Sequence, residues 1–227
     1  MVHGTVWLSS LVLAPLIAAS GVARADGRVQ GLELGMRAGY GVPMGKVDTL
    51  EGDSLRQTVS STIPVGAEIG YRLDSSLLLG VYGVYSFASP AEALSDECSS
   101  QGRRCSIGDE RVGVQAQIHG SLSNRWDPWV GIGTGYEWMQ VHTGATTLIA
   151  RGWEIAQVET GVNVKALDSF GLGPFIALAV GEYDTESLPG TRTTSVTNKA
   201  FHEWLVFGLQ FALELRAHLA ARTDRED

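Results

Sequence analysis

Cysteine is nearly missing from this chain: 227 residues contain two, Cys98 and Cys105. That excludes a disulfide framework and a cysteine-built metal centre. Basic residues are also scarce, 17 Lys and Arg against 25 Asp and Glu, for a formal charge of −8. Such an acidic chain is not a nucleic-acid binder. Past residue 25 no stretch approaches the roughly 18 continuous apolar residues that a membrane-crossing helix requires. Charged residues make up 19% of the chain, below the roughly 25–35% expected of a soluble surface.

The one uncharged apolar run lies at the start, from Val6-Trp7-Leu8 to Ile17-Ala18-Ala19, and is followed by Ala23-Arg24-Ala25 and Asp26. A short apolar run with an A-x-A site behind it resembles a secretory signal, although only His3 precedes the run. Residues 1–25 are therefore expected to be a cleaved signal peptide, with 26–29 a short N-terminal segment. Cleavage removes Arg24 and no acid, so the formal charge moves from −8 to −9. Export favours a disulfide between Cys98 and Cys105. Such a bridge closes a small loop and contributes roughly 2–3 kcal/mol in the chain-entropy view.

From Gln30 to Leu215 the chain alternates, and alternation is the mark of strands. Leu32, Leu34, Met36, Ala38 and Tyr40 share one face of the first stretch, while Gly31, Glu33, Gly35, Arg37 and Gly39 share the other. Ile63 to Leu73 repeats this chemistry with Glu68 and Arg72 on the glycine face. Further stretches begin near Leu77, Arg111, Val130, Trp153, Gly171 and Leu205, which makes eight. The sixth changes phase, since Trp153 and Ile155 are out of step with Val158, Val162 and Val164; a β-bulge near Ala156-Gln157 explains it. Pro174 in the seventh predicts a second bulge or an irregular edge. Connections after the first, third, fifth and seventh stretches read as long and polar (42–61, 88–109, 140–152 and 182–198), and the others as short. Residues 216–227 form a charged tail.

Two soluble folds compete with a membrane barrel: an exported β-sandwich and a lipocalin-like barrel with an apolar cavity. Both need a charged outer face, whereas the face opposite the aliphatics here is mostly glycine with one or two charges per strand. That composition suits the crowded interior of an eight-stranded barrel, where side chains fill the lumen. Aromatic placement agrees, because lipid barrels carry aromatic girdles at both interfaces. Tyr40, Tyr85, Tyr136, Trp138 and Trp153 fall where strands meet long loops, and Tyr71 and Trp129 where they meet short turns. The expected fold is all-β: an eight-stranded antiparallel up-and-down transmembrane β-barrel over 30–215, with the tail 216–227 in the periplasm.

The segment Asp127-Pro128-Trp129-Val130-Gly131-Ile132-Gly133-Thr134-Gly135-Tyr136-Glu137-Trp138 resembles the eight-stranded outer-membrane barrels of the OmpX- and OmpW-like kind. The resemblance covers about Gln30 to Leu215, although the last strand ends Phe211-Ala212-Leu213-Glu214-Leu215 where such barrels usually close on an aromatic residue. It implies residence in a Gram-negative outer membrane, with the lipid bilayer, the outer-membrane assembly machinery and an extracellular ligand at the loops as partners. An OmpW-like uptake of small apolar molecules through an upper-lumen pocket is a second implication.

Glu33, Arg37, Glu68, Arg72, Arg111, Glu137, Glu159, Lys165 and Glu214 all take the lumen phase. Buried charges are tolerated when paired, so Glu33 and Arg37 are expected to pair with Arg72 and Glu68, plugging the pore. His119-Gly120-Ser121 invites a catalytic reading, but it sits at the short-turn end, away from outer-leaflet lipid. His202-Glu203, at the long-loop end, is better placed for a lipid-modifying enzyme yet lacks a matched nucleophile. The Gly131-x-Gly133-x-Gly135 run continues a strand and opens no helix, so it is no nucleotide loop. The functional expectation is a non-enzymatic barrel without cofactor or metal, acting through its long loops in surface interaction or envelope stability.

Overall fold

The structure, a computed structural model, describes residues 31–47, 54–120, 125–144, 146–167, 169–188, 190 and 192–216. The expected signal peptide, the segment 26–29 and residues 217–227 of the expected tail lie outside the described residues.

The described residues form nine strands and two helices, in chain order β1 (Gly31–Gly45), α1 (Leu55–Thr58), β2 (Val59–Arg72), β3 (Leu77–Pro90), α2 (Glu92–Ser100), β4 (Ser106–His119), β5 (Trp126–His142), β6 (Thr147–Leu167), β7 (Phe170–Ser187), β8 (Thr194–Ser195) and β9 (Phe201–Arg216). Each long strand pairs antiparallel with its neighbours, and β1 pairs with β9 from Gly31↔Arg216 to Gly45↔His202. The sheet therefore closes into a barrel of eight long strands, with β8 a two-residue flap on β7. Among the described residues no helix is long and apolar enough to cross a membrane. Crossing falls to the strands, and closure leaves no unpaired edge in hydrocarbon.

Alternation decides what faces where. Met36, Ile69, Ile132 and Leu209 point outward and are more than half exposed, whereas Glu33, Arg37, Glu68 and Glu159 point inward and are buried. The barrel is inside out relative to a soluble one. Hydrocarbon is the solvent that such an outer surface matches. Outward residues from Leu32 to Tyr40 on β1, or from Ile63 to Tyr71 on β2, cover the roughly 9–11 residues of a tilted membrane strand.

Above that band the polarity reverses. Met139, Val141, Ile107 and Ala150 are buried inside, while His142, Arg151 and Ser106 on the same strands are exposed outside. The upper barrel is thus an ordinary water-facing barrel stacked on a membrane one. Leu55 of α1 and Val59 are fully buried among these residues, together with Tyr183 and Trp204, and Leu94 of α2 packs against the group. These residues form an apolar cap inside the long-loop end.

Several expectations are corrected by this upper extension. The connection after β5, expected over 140–152, is only Thr143 to Thr146, because polar residues on either side continue the ladder to His142↔Thr147. β7 likewise runs on to Ser187, β3 to Pro90, and β1 to Gly45. Alternating aliphatics stop at the membrane boundary, but pairing does not.

The β6 bulge is present: Glu154 pairs with Gly181 and Ala156 with Val180, so Ile155 is the extra residue and Glu154, Gln157 and Glu159 all end up inside. Pro174 causes no bulge. It sits opposite Leu209 in a continuous β7–β9 register, but on its β6 side the ladder is irregular: pairing lapses at Pro174 and Gly173 between Gly161↔Phe175 and Val164↔Leu172, with the register kept. The short turn after β2 is held by Asp74, whose Oδ1 accepts from the Ser76 and Leu77 amides at 2.7 and 2.8 Å and from the Ser76 hydroxyl at 2.8 Å. Those donors, the Ser76 amide foremost, hold its carboxyl below the usual value of 3.8.

Candidate functional site

Inward-facing polar residues stack in three tiers. At the short-turn end Arg72 binds Glu33 Oε2 through Nη2 at 2.5 Å and Nε at 3.2 Å. Beside it His119 Nδ1 lies 3.1 Å from both oxygens of Asp127, and Lys165 Nζ lies 2.9 Å from Glu214. The sequence-predicted pairing of Glu33 with Arg72 is formed.

In the middle tier Arg37 reaches two carboxylates at once, donating from Nη2 to Glu68 and from Nη1 to Glu159 at 2.5 Å. Gln115 donates to Glu68 at 2.6 Å and Gln157 to Glu159 at 3.0 Å. Space for this comes from glycine: a Cβ on Gly131 would stand 2.8 Å from Glu159 Oε1. The Gly131-x-Gly133-x-Gly135 run is where the lumen makes room for Glu159 and Tyr82.

The upper tier was only partly legible. Arg111 binds Glu154 at 3.2 Å and Asp109 at 3.3 Å, and Tyr82 donates to Glu154. Glu137 accepts from Tyr183 at 2.8 Å and Trp204 at 2.9 Å, and its other oxygen lies 3.0 Å from His202 Nε2. The His202 ring stacks on Tyr183 with centroids 4.2 Å apart. Sequence reasoning missed Glu154, Asp109 and Tyr183. Glu154 was detectable, since it lies between Trp153 and Ile155, both outward.

Two catalytic candidates receive definite places. His202 is fully buried and partnered by Glu137 on β5, while Glu203, the next residue, takes the other face of β9. The proposed His202–Glu203 pair is therefore not formed. His119 is buried and engaged by Asp127 and Gln117, and Ser121 lies outside the described residues. Among the described residues no group of three His, Cys, Asp or Glu is arranged for a metal ion.

Trp129 corrects the expected girdle. Tyr40, Tyr71, Tyr85, Tyr136, Trp138 and Trp153 take the outward phase, but Trp129 is 3% exposed and lies inside, facing His119 and the Gly161 backbone. It shares its phase with Gly131 and Glu137, which is the lumen phase. Trp126, 47% exposed, takes the outward place at that end.

At the rim Cys98 and Cys105 are joined with their Cα atoms 6.0 Å apart, in the ordinary range. The bridge ties the end of α2 to the start of β4. Lys199 lies 3.1 Å from Glu182 and also binds Asp184; these carboxylates, Asp184 first, raise its ammonium above the usual value.

Between the middle and upper tiers lies a small cavity with Arg37 and Arg111 at its polar ends and Val84, Phe175, Trp204 and Val206 among its walls. Pro64 also borders it. Beside Pro64 the β1–β2 register lapses: pairs run from Gly31↔Arg72 to Ala38↔Val65, and above them only Gly41↔Thr62 is formed. A proline has no N–H to give the ladder.

No protein-family model matches the chain, and no curated protein does. Solved structures do match. Neisserial surface protein A superposes with a TM-score of 0.56 at 13% identity, covering 84% of this chain and 100% of that one. The outer membrane protein OprG from Pseudomonas aeruginosa gives 0.51 at 16% identity, over 84% of this chain and 99% of its own. The fold is that of the eight-stranded outer-membrane barrels. The outer membrane protein AlkL, solved in DMPC lipid bilayers, is similar at a TM-score of 0.50 and 16% identity, over 87% of this chain and 96% of AlkL. The likeness concerns the barrel as a whole, and the contents of the lumen are described by this chain's own side chains.

Proposed function

We propose that the protein resides in the outer membrane as a closed barrel and works by presenting its raised rim to an extracellular ligand, in surface interaction or envelope stability. The observation that carries this reading is Arg37, bound to Glu68 on β2 and Glu159 on β6 in mid-lumen. A guanidinium held between two carboxylates in mid-lumen is, on this reading, a plug. Above it the apolar cap adds a second closure. What remains free for binding is the rim, where β6 spans 21 residues against the roughly 9–11 needed to cross. Insertion by the outer-membrane assembly machinery belongs to the same reading.

Planar-bilayer recordings test it: the purified protein is expected to show no steady conductance, and a sustained open channel would overturn the proposal. Binding without catalysis is part of the reading, supported by the burial of His202. His202→Ala is expected to leave outer-leaflet lipid unchanged; an altered lipid profile would restore the enzymatic alternative.

A second reading is favoured by the small, largely apolar-walled cavity beside the lapsed β1–β2 seam. An apolar solute held there has a short way out between β1 and β2 into the membrane, as in uptake of small apolar molecules. Ala179→Trp fills the cavity from β7. Uptake of an apolar solute by cells carrying that variant separates the readings: it is unchanged under the first and lost under the second.

A further inference from the structure

The carboxyl groups of Asp109 and Glu137 adjoin beneath the apolar cap, each 1% exposed. They stand diagonally across the β4–β5 ladder, where Arg111 is opposite Glu137 and Asp109 opposite Met139. Asp109 Oδ2 has the Ser86 hydroxyl at 3.3 Å and Arg111 at 3.3 Å, but Oδ1 has no donor among the described residues. Two buried carboxylates side by side repel unless they share a proton. A proton between them also gives the stranded Oδ1 its partner. The charges facing the pair are Arg111 of β4, Glu154 of β6 and His202 of β9, and the hydroxyls of Tyr82 on β3 and Tyr183 on β7 go to Glu154 and Glu137. One tier down, Arg37 of β1 is bound to Glu68 of β2 and Glu159 of β6 and lends no spare charge. Three acids therefore face one permanent cation, and even a protonated His202 leaves one carboxylate uncompensated. Burying such a charge is costly, and one shared proton removes it.

Glu137 is also tied to the cap. Its Oε1 accepts from Tyr183 at 2.8 Å and Trp204 at 2.9 Å, both cap residues, and the same cap seats Leu55 of α1 and, at its edge, Leu94 of α2. We propose that the Asp109–Glu137 pair is a proton-held latch that makes the rim responsive to alkaline pH. While the pair shares a proton the cap is seated; when the proton passes to hydroxide in the bulk, the two carboxylates repel, the cap loosens and the helices resting on it shift. The loosened state binds fewer protons, so rising pH favours it. The proton belongs to the pair and not to either residue alone. This inference rests on the reading of the lumen as closed and of the rim as the binding face.

The test is fluorine NMR of the fluorotryptophan-labelled protein folded in detergent, comparing light with heavy water to read which indoles meet solvent. Trp204, 1% exposed, is assigned by the resonance lost in Trp204→Phe, and Trp129, 3% exposed near the short-turn end, serves as the internal reference. The solvent isotope shift of Trp204 is expected to be near zero at about pH 7 and to rise reversibly towards that of the free amino acid by about pH 10, while Trp129 stays dry. Asp109→Asn and Glu137→Gln each put an amide N–H where the shared proton was, and either is expected to keep Trp204 dry across the same range. A Trp204 already wet at neutral pH would overturn the reading of a closed lumen itself. A Trp204 dry throughout in the parent would overturn the latch alone. So would wetting of Trp204 and Trp129 together, which is unfolding of the whole barrel. Persistence of the alkaline transition in the folded amide variants would also overturn it, and would pass the titration to His202 or the two tyrosines.

Discussion

Arg37 on β1 and Glu159 on β6 meet at 2.5 Å although β9 and β7 lie between their strands on one side of the barrel and four strands on the other. The contact is a strut across the lumen, braced on the β1 side by Glu68 of the neighbouring β2. Removing the strut by Arg37→Met strands two buried carboxylates, and breaking such a pair costs roughly 3–5 kcal/mol. Adding Glu68→Gln and Glu159→Gln to that variant is expected to recover most of the loss, since the uncompensated charges go with the acids. Urea unfolding from lipid vesicles measures both steps.

The disulfide acts on a different layer. Cys98 is 5% exposed, and the helix it closes carries Leu94 onto the cap around Leu55. Replacing both cysteines with serine is expected to cost roughly 2–3 kcal/mol of local stability, confined to the rim. Trypsin should then cut faster after Arg103 and Arg104, while the barrel's resistance to mild SDS stays as in the parent. Loss of SDS resistance would show that the rim and the barrel unfold together.

Legibility followed the membrane boundary. Within the lipid band each strand needs apolar residues outside and small or charged ones inside, so Glu33, Arg37, Glu68 and Arg72 could be placed by parity alone. Even the phase change in β6 was readable from Trp153 and Val158. Above the band the requirement reverses. Met139 is on the same inner face as Glu137, two residues along β5, yet one lies in an apolar cap and the other in a charge network. A pattern sought with fixed polarity ends there, so the paired residues 140–142 and 147–152 read as loop. Asp109 was lost for the same reason. Contacts such as Tyr183 with His202 join residues from different strands, and no spacing along one strand reports them.

Asp74 offers a pH prediction with a definite sign. Its carboxylate accepts from Ser76 and Leu77, and its pKa is lowered in the folded protein. A carboxyl depressed on folding contributes stability above its unfolded value, and that contribution is lost as pH falls through the folded value. The difference in unfolding midpoint between the parent and Asp74→Ala is therefore expected to be constant above about pH 5 and to close progressively below it. A gap independent of pH would mean that the turn depends on shape rather than on the charged acceptor.

Trp129 and Trp126 are three residues apart on β5, so alternation sends them to opposite faces. Trp126 is 47% exposed on the lipid side; Trp129 is 3% exposed inside, where a Cβ on Gly161 would meet its ring at 2.8 Å. Two consequences separate them. In single-tryptophan variants reconstituted into brominated lipid, fluorescence from Trp126 is expected to be quenched and that from Trp129 to be largely spared. Trp129→Ala is expected to cost roughly 3–5 kcal/mol, as for a large aromatic removed from a packed interior. Trp126→Ala opens no interior cavity and is expected to cost much less. If Trp129 were instead quenched and cheap to remove, the strand would be inserted one residue out of phase, and Glu137 would face lipid with it.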